Sequence, residues 1–129
     1  MLYLIVGIPG SGKTTLSNAL LKIEPSGVVH DDFIPHIYSG KLVADLRNGS
    51  DVFASDPRLC KIERCENTIK TIKQFVKNAE ITLVLFPNDP TRSLNQTKNR
   101  QNAIEFYSKI YNPYEYKKFG YRVVYLRYE

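Results

Sequence analysis

A chain of 129 residues, 43% hydrophobic and 24% charged, has apolar material for one globular core and too little length for two. Its formal net charge of +5 suits polyanionic partners such as nucleotides or nucleic acid, although a solvated helix face carries the same residues. No apolar run approaches the ~20 residues of a membrane helix, so a cytoplasmic protein with no targeting segment and no membrane partner is expected.

In chain order, Leu2 to Val6 is a short apolar run and predicts a buried strand. Lys13 to Ile23 predicts a helix, with Leu16, Ala19, Leu20 and Ile23 at helical spacing. Val28 to His30 predicts a second strand ending at Asp31-Asp32, and Ile34 to Leu46 a helix stopped by Asn48-Gly49. Val52 to Ser55 predicts a third strand, ending at Asp56-Pro57. Leu59, Ile62, Cys65, Ile69, Ile72 and Val76 recur at steps of three and four, the mark of a long amphipathic helix. Ile81 to Phe86 predicts a fourth buried strand. After the turn Pro87 to Pro90, Thr91 to Arg100 reads as a polar helix and Ala103 to Tyr111 as another. Tyr121 to Tyr128 predicts the last strand. Strands alternating with helices imply an α/β fold: a five-stranded parallel sheet flanked by helices on both faces, with a small helical lid, in a single domain over 1–129.

Gly7-Ile8-Pro9-Gly10-Ser11-Gly12-Lys13-Thr14 matches G-x-x-x-x-G-K-[ST] between a strand and a helix, the setting of a P-loop. Glycines let successive backbone N–H groups turn inward as an anion nest, and the helix N-terminus adds partial positive charge. Gly7, Pro9, Gly10, Ser11, Gly12, Lys13, Thr14 and Thr15 are therefore expected around the phosphates of ATP. Lys13 would reach the β- and γ-phosphates, and the Thr14 hydroxyl would ligate Mg²⁺. No Asn-Lys-x-Asp run selects guanine.

Ligands of such sheets sit at the C-terminal strand ends. Asp31 is the first choice for a base that accepts the proton of an attacking hydroxyl. Asp32 is a substrate-side candidate or the N-cap of the following helix. Asp56 serves as a metal-side or acceptor-side carboxylate, or as a cap before Pro57. In the lid, Arg100 is the first choice for the cation on the transferring phosphoryl group, with Lys98 and Arg92 behind it; an exposed polar helix is the alternative. His30 is expected to pack and His36 to be solvated. Cys60 and Cys65 are expected to be reduced thiols. Tyr107, Tyr111, Tyr114, Tyr116 and Tyr121 are expected to pack a closing helix more than to stack bases.

With these residues in place the chain resembles the kinase domain of the bacteriophage-type 5′-hydroxyl polynucleotide kinases. The resemblance runs through Gly7 to Thr15, Asp31-Asp32, Ser55-Asp56-Pro57-Arg58-Leu59, and Asn95 to Arg100 followed by Ile104-Glu105 and Tyr107 to Tyr111. It implies Asp31 as general base, Lys13 and Thr14 on phosphates and Mg²⁺, Arg100 on the donor phosphates, and Arg58 among the acceptor residues. The chain departs from it at Ile34, where those kinases hold an acceptor phosphate with arginine. Two acceptors follow: the 5′-hydroxyl of DNA or RNA, or the hydroxymethyl group of a modified pyrimidine such as 5-hydroxymethyluridine in DNA, the reaction of related phage kinases. A small-metabolite or nucleotide kinase, and a non-catalytic ATP-binding module, are the competing readings.

Overall fold

The computed structural model describes residues 1–128. The strands are β1 (Leu2–Val6), β2 (Val28–Asp31), β3 (Val52–Ser55), β4 (Ile81–Leu85) and β5 (Arg122–Tyr125). The helices are α1 (Lys13–Ile23), α2 (Ile34–Tyr38), α3 (Lys41–Arg47), α4 (Ile62–Phe75), α5 (Pro90–Gln96) and α6 (Gln101–Ile110). The sheet order is β2-β3-β1-β4-β5, and every neighbouring pair is parallel. This is the expected α/β architecture, a five-stranded parallel sheet with helices on both faces.

The central strands are predominantly apolar because both of their faces are covered, with Ser55 and Thr82 as buried polar exceptions. On β1, Leu2, Leu4 and Val6 enter one core cluster while Ile5 enters the other. The same alternation sends Val52 and Ala54 one way and Phe53 the other, and divides Leu83 and Leu85 from Val84. Leu16, Leu20 and Leu21 of α1 cover one face, and Ile37, Leu42, Ile69, Ile72 and Ile104 of α2, α3, α4 and α6 cover the opposite one. Each fully buried aliphatic side chain among these, such as Leu42 or Ile72, contributes about 1.5–3 kcal/mol of transfer free energy, and the partly buried leucines of α1 contribute less. β5 forms an edge and is largely exposed.

Several elements differ from the sequence expectation. The helix expected over 34–46 is two helices, split where Gly40 takes φ 83°, a left-handed turn that glycine adopts without a Cβ clash. The long helix begins at Ile62 instead of Leu59, because Asp56 caps a separate 3-10 turn over Pro57–Cys60 and Lys61 is extended. The polar helix stops at Gln96, where Thr97 leaves the helical region, and a short turn over Lys98–Arg100 leads into α6. Ile23, expected on the packed stripe of α1, is 81% exposed; Leu21 packs in its place. β5 spans less than the strand expected over 121–128.

The closing segment packs as expected. Tyr111 donates its hydroxyl to the Phe86 carbonyl at 2.6 Å, and Tyr116 donates to the Leu59 carbonyl. Both rings are buried, whereas Tyr114 stays exposed against Tyr125. Cys60 and Cys65 are buried free thiols.

Candidate active site

β1 delivers the chain to a tight loop at the C-terminal edge of the sheet. A Cβ at Gly7 would lie 2.5 Å from Ser11 Oγ and 3.0 Å from Phe86 Cβ, so the close approach there requires glycine. Gly10, at φ 80°, also packs within Cβ reach of the Ser93 carbonyl, which sets α5 close against the loop. Gly12, at φ 105°, opens α1 without any side-chain cap, leaving the first backbone N–H groups of the helix directed at the loop.

Lys13 Nζ donates to the carbonyls of Gly7 at 2.8 Å and Ile8 at 3.0 Å, folding back over its own loop. Burial pulls its pKa down from 10.5 to about 8, since a desolvated ammonium is disfavoured. A cavity of about 390 Å³ opens beside it. Pro9, Gly10, Gly12, Lys13, Thr14 and Thr15 form one wall, and Asp31 and Asp32 form the opposite one. Ser55, Pro57, Gln96, Thr97 and Arg100 complete the lining.

Most of the expected site residues therefore meet in one place. Arg100 lines this cavity; Lys98 lies on the outer surface of the same turn, and Arg92 lies in a neighbouring groove. Ser11 is a partial exception: it is buried, and its carbonyl accepts the Tyr128 hydroxyl at 2.7 Å.

The acidic wall is held by β2 and β3 together. Asp31 pairs in register with Ser55, whose hydroxyl donates to Asp31 Oδ1 at 3.0 Å. Asp32 has φ 48°, the one positive φ outside glycine among the described residues. Backbone in that region costs about 1–3 kcal/mol and is held here by the Phe33 N–H on the Ser55 carbonyl. The N-cap role expected for Asp32 is not what forms: Phe33 precedes α2 without a side-chain cap, and Asp32 is exposed at the cavity.

Asp56 takes the capping role expected for it before Pro57 and not the metal-side placement. It is 0% exposed and absent from the cavity lining. Its Oδ1 accepts from Arg58 N and Nε, both at 2.9 Å, and its Oδ2 accepts from Arg58 Nη2 at 2.7 Å. Capping and a forked ion pair occupy both oxygens, so its effect on the site runs through the placement of Arg58.

Mg²⁺ fits the remaining residues in the manner of phosphate-bound magnesium. Thr14, Asp31 and Asp32 line the same cavity, so a hydroxyl and two carboxylates are available there. Among the described residues no group of three or more His, Cys, Asp or Glu gathers to hold a metal by protein ligands alone. Magnesium usually takes one or two protein ligands together with substrate phosphates and water.

Sequence reasoning missed two features. A second groove of about 530 Å³ runs along α1, lined by Leu16, Ala19, Phe86, Leu126 and Tyr128. The Arg92 guanidinium stacks 3.9 Å from the Tyr128 ring centroid. Nothing local in the sequence signals that pair, because it joins α5 to the residues after β5. The other feature is polar: His30 Nε2 lies 2.7 Å from Asp45 Oδ2, and His30 Nδ1 lies 2.7 Å from His36 Nδ1. His30 packs as expected, but His36 is half-buried against it instead of solvated.

No model of a known protein family matches the chain. It is 32% identical to an uncharacterized protein of Acanthamoeba polyphaga mimivirus over 129 aligned positions, covering 95% of this chain and 94% of that one. It is 35% identical over 96 positions to an adenylate kinase of Wolinella succinogenes, covering 69% of this chain and 46% of the enzyme. The chain thus spans about half the length of that adenylate kinase. No helix among the described residues is long and apolar enough to cross a membrane.

Proposed function

We propose that this chain, which belongs to one family with the uncharacterized mimivirus protein, is an ATP-dependent phosphotransferase that phosphorylates an alcohol on nucleic acid. One observation carries the proposal. A P-loop with Lys13 and Thr14, a carboxylate wall with Asp31, and the lid cation Arg100 all line a single cavity.

In this scheme the loop amides and the N-terminus of α1 hold the β- and γ-phosphates of ATP. Lys13 leaves the Gly7 and Ile8 carbonyls and turns its ammonium onto the same oxygens. Asp31, steadied by Ser55, accepts the proton of the acceptor hydroxyl as its oxygen bonds to the γ-phosphorus. The bond from that phosphorus to the bridging oxygen breaks, and ADP leaves. Arg100 holds the charge on the equatorial oxygens. A bound Mg²⁺ would neutralise charge between the β- and γ-phosphates, with Thr14 among its ligands. The apolar groove ending at Phe86 and Tyr128 is where the nucleobase would lie, with Arg92 across the ring.

The acceptor follows from the resemblance to polynucleotide kinases through Asp31-Asp32 and Ser55 to Leu59. It is the 5′-hydroxyl of DNA or RNA, or a hydroxymethyl group on a modified pyrimidine in DNA. The partial likeness to an adenylate kinase supports a second reading, a nucleotide kinase whose acceptor is a nucleoside monophosphate.

Incubation with γ-labelled ATP and Mg²⁺ tests the proposal against a panel: a 5′-hydroxyl oligonucleotide, hydroxymethylpyrimidine DNA, and nucleoside monophosphates. Label in either nucleic acid supports it; label in a monophosphate alone moves the chain to the second reading. Lys13→Ala should lower the rate by about 10²–10³-fold, the usual loss when one charge-stabilising donor is removed. A rate unchanged by that substitution would refute the scheme.

A further inference from the structure

Behind the turn over Pro57–Cys60 lies a second opening, a groove of about 230 Å³. Pro57 lines the phosphate cavity and Arg58 lines this groove, so adjacent residues divide the two. One wall carries Arg58, Lys61 and Arg64, with Glu63 the acid among them. The other is the outer side of α6, with Phe106, Tyr107 and Ile110.

Two features of this groove lack a packing explanation. Ile104 fills the core side of α6 at 0% exposure, with Tyr107 packed beside it, while Phe106 is 60% and Ile110 40% exposed. The Phe106 ring is braced edge-on by Tyr107, with centroids 5.1 Å apart, which holds a flat apolar face at the rim. On the opposite wall, Asp56 grips one edge of the Arg58 guanidinium while that side chain remains 40% exposed. Lys61 and Arg64 are exposed, and neither forms an ion pair among the described residues.

A fixed aromatic face opposite free cations matches the chemistry of a single nucleic-acid strand, in which a base stacks and the backbone phosphates pair. We infer that the groove bounded by Arg58, Lys61, Arg64 and Phe106 binds the acceptor as single-stranded nucleic acid. The nucleotides beyond the reacting hydroxyl pass over the Pro57–Cys60 turn, with phosphates on Lys61 and Arg64 and a base on Phe106. The inference rests on the phosphotransferase reading and narrows its acceptor. A mononucleotide has too few groups to use both openings, and a duplex keeps its bases stacked away from Phe106.

Fluorescence anisotropy with labelled 5′-hydroxyl oligothymidylates of increasing length, without ATP, tests binding directly. Affinity should rise from mononucleotide to short strand. Phe106→Ala should weaken strand binding by roughly tenfold, and Phe106→Tyr should restore it. The double variant Lys61→Ala/Arg64→Ala should flatten the dependence of log K on log salt by about 1.4, at ~0.7 per lost phosphate contact on a single strand. All three side chains are exposed, so the thermal midpoint should stay near the parent's and exclude unfolding as the cause. Equal affinity for mononucleotide and strand, an unchanged salt slope, or full affinity in Phe106→Ala would each overturn the groove assignment. The label-transfer assay keeps the two claims apart. Phosphorylated oligonucleotide with an unchanged acceptor KM in these variants defeats the groove and leaves phosphotransfer standing. Strand binding lost with the groove residues, but no acceptor labelled, defeats phosphotransfer alone.

Discussion

The two walls of the cavity are built by different means. The phosphate wall is a continuous stretch of chain, Gly7 to Thr15, shaped by its own glycines and by the start of α1. The acidic wall is assembled from separate strands: Asp31 is steadied by Ser55 across the β2–β3 register, and Asp32 is held in a strained backbone by a bond to β3. A wall made locally survives substitutions elsewhere, whereas a wall made by pairing depends on distant packing. In the proposed reaction, anion binding would need only the former and phosphoryl transfer both.

That contrast can be broken most sharply at Asp31. Asp31→Asn should cut turnover by about 10²–10⁴-fold, the range for a lost general base, with ATP affinity retained. Rates within a few-fold of the parent would show that the acidic wall does not do the proton transfer. Arg100→Ala tests the lid, the third component of the site, and should lower kcat by about 10²-fold with a smaller change in the ATP dissociation constant. Equal losses in both would make Arg100 an ordinary binding residue.

A smaller effect is expected at Asp56, where the prediction concerns stability. Asp56→Ala removes the cap of the 3-10 turn and the fork on Arg58, and should cost about 2 kcal/mol in urea unfolding. The partly exposed Arg58 is resolvated when freed, which keeps the loss below that of a wholly buried pair. A parent-like midpoint would show that the turn holds itself.

The smallest effect belongs to the phosphate wall and is read through pH. In the free fold Lys13 loses its proton near 8, below the ordinary 10.5, because burial disfavours the charge. Between those values the unfolded chain holds a proton that the fold has released, so this lysine raises the stability of the free protein as pH rises across the window. If Lys13 holds the triphosphate as proposed, that hold should weaken over the same window, and a bound nucleotide should draw the proton back. Calorimetry of ATP binding at about pH 9, in buffers of different ionisation enthalpy, should report uptake of up to one proton. No uptake would place the ammonium already charged in the free site.

The phosphate wall was legible because its signal is contiguous: strand, glycines, Lys13 and helix follow one another in fixed spacing. The acidic pair was legible as strand-end carboxylates, and so was the cap that Asp56 forms ahead of Pro57, but the strain at Asp32 and the Ser55 partner of Asp31 were not. Which carboxylate is strained and which meets a serine depends on neighbours in another strand, as for the Asp31–Ser55 bond with a separation of 24. The break at Gly40 was in plain view yet outweighed by the apolar periodicity on either side.

The sequence alone determined the order of strands and helices and the glycine-rich loop between β1 and α1, since periodicity and glycine placement act within a few residues. Only the tertiary structure decided that Arg100 and not Arg92 shares the phosphate cavity, that Asp56 holds Arg58, and that Phe106 stands uncovered beside Lys61 and Arg64. Side-chain destinations are set by which elements pack together, and that is a property of the folded sheet as a whole.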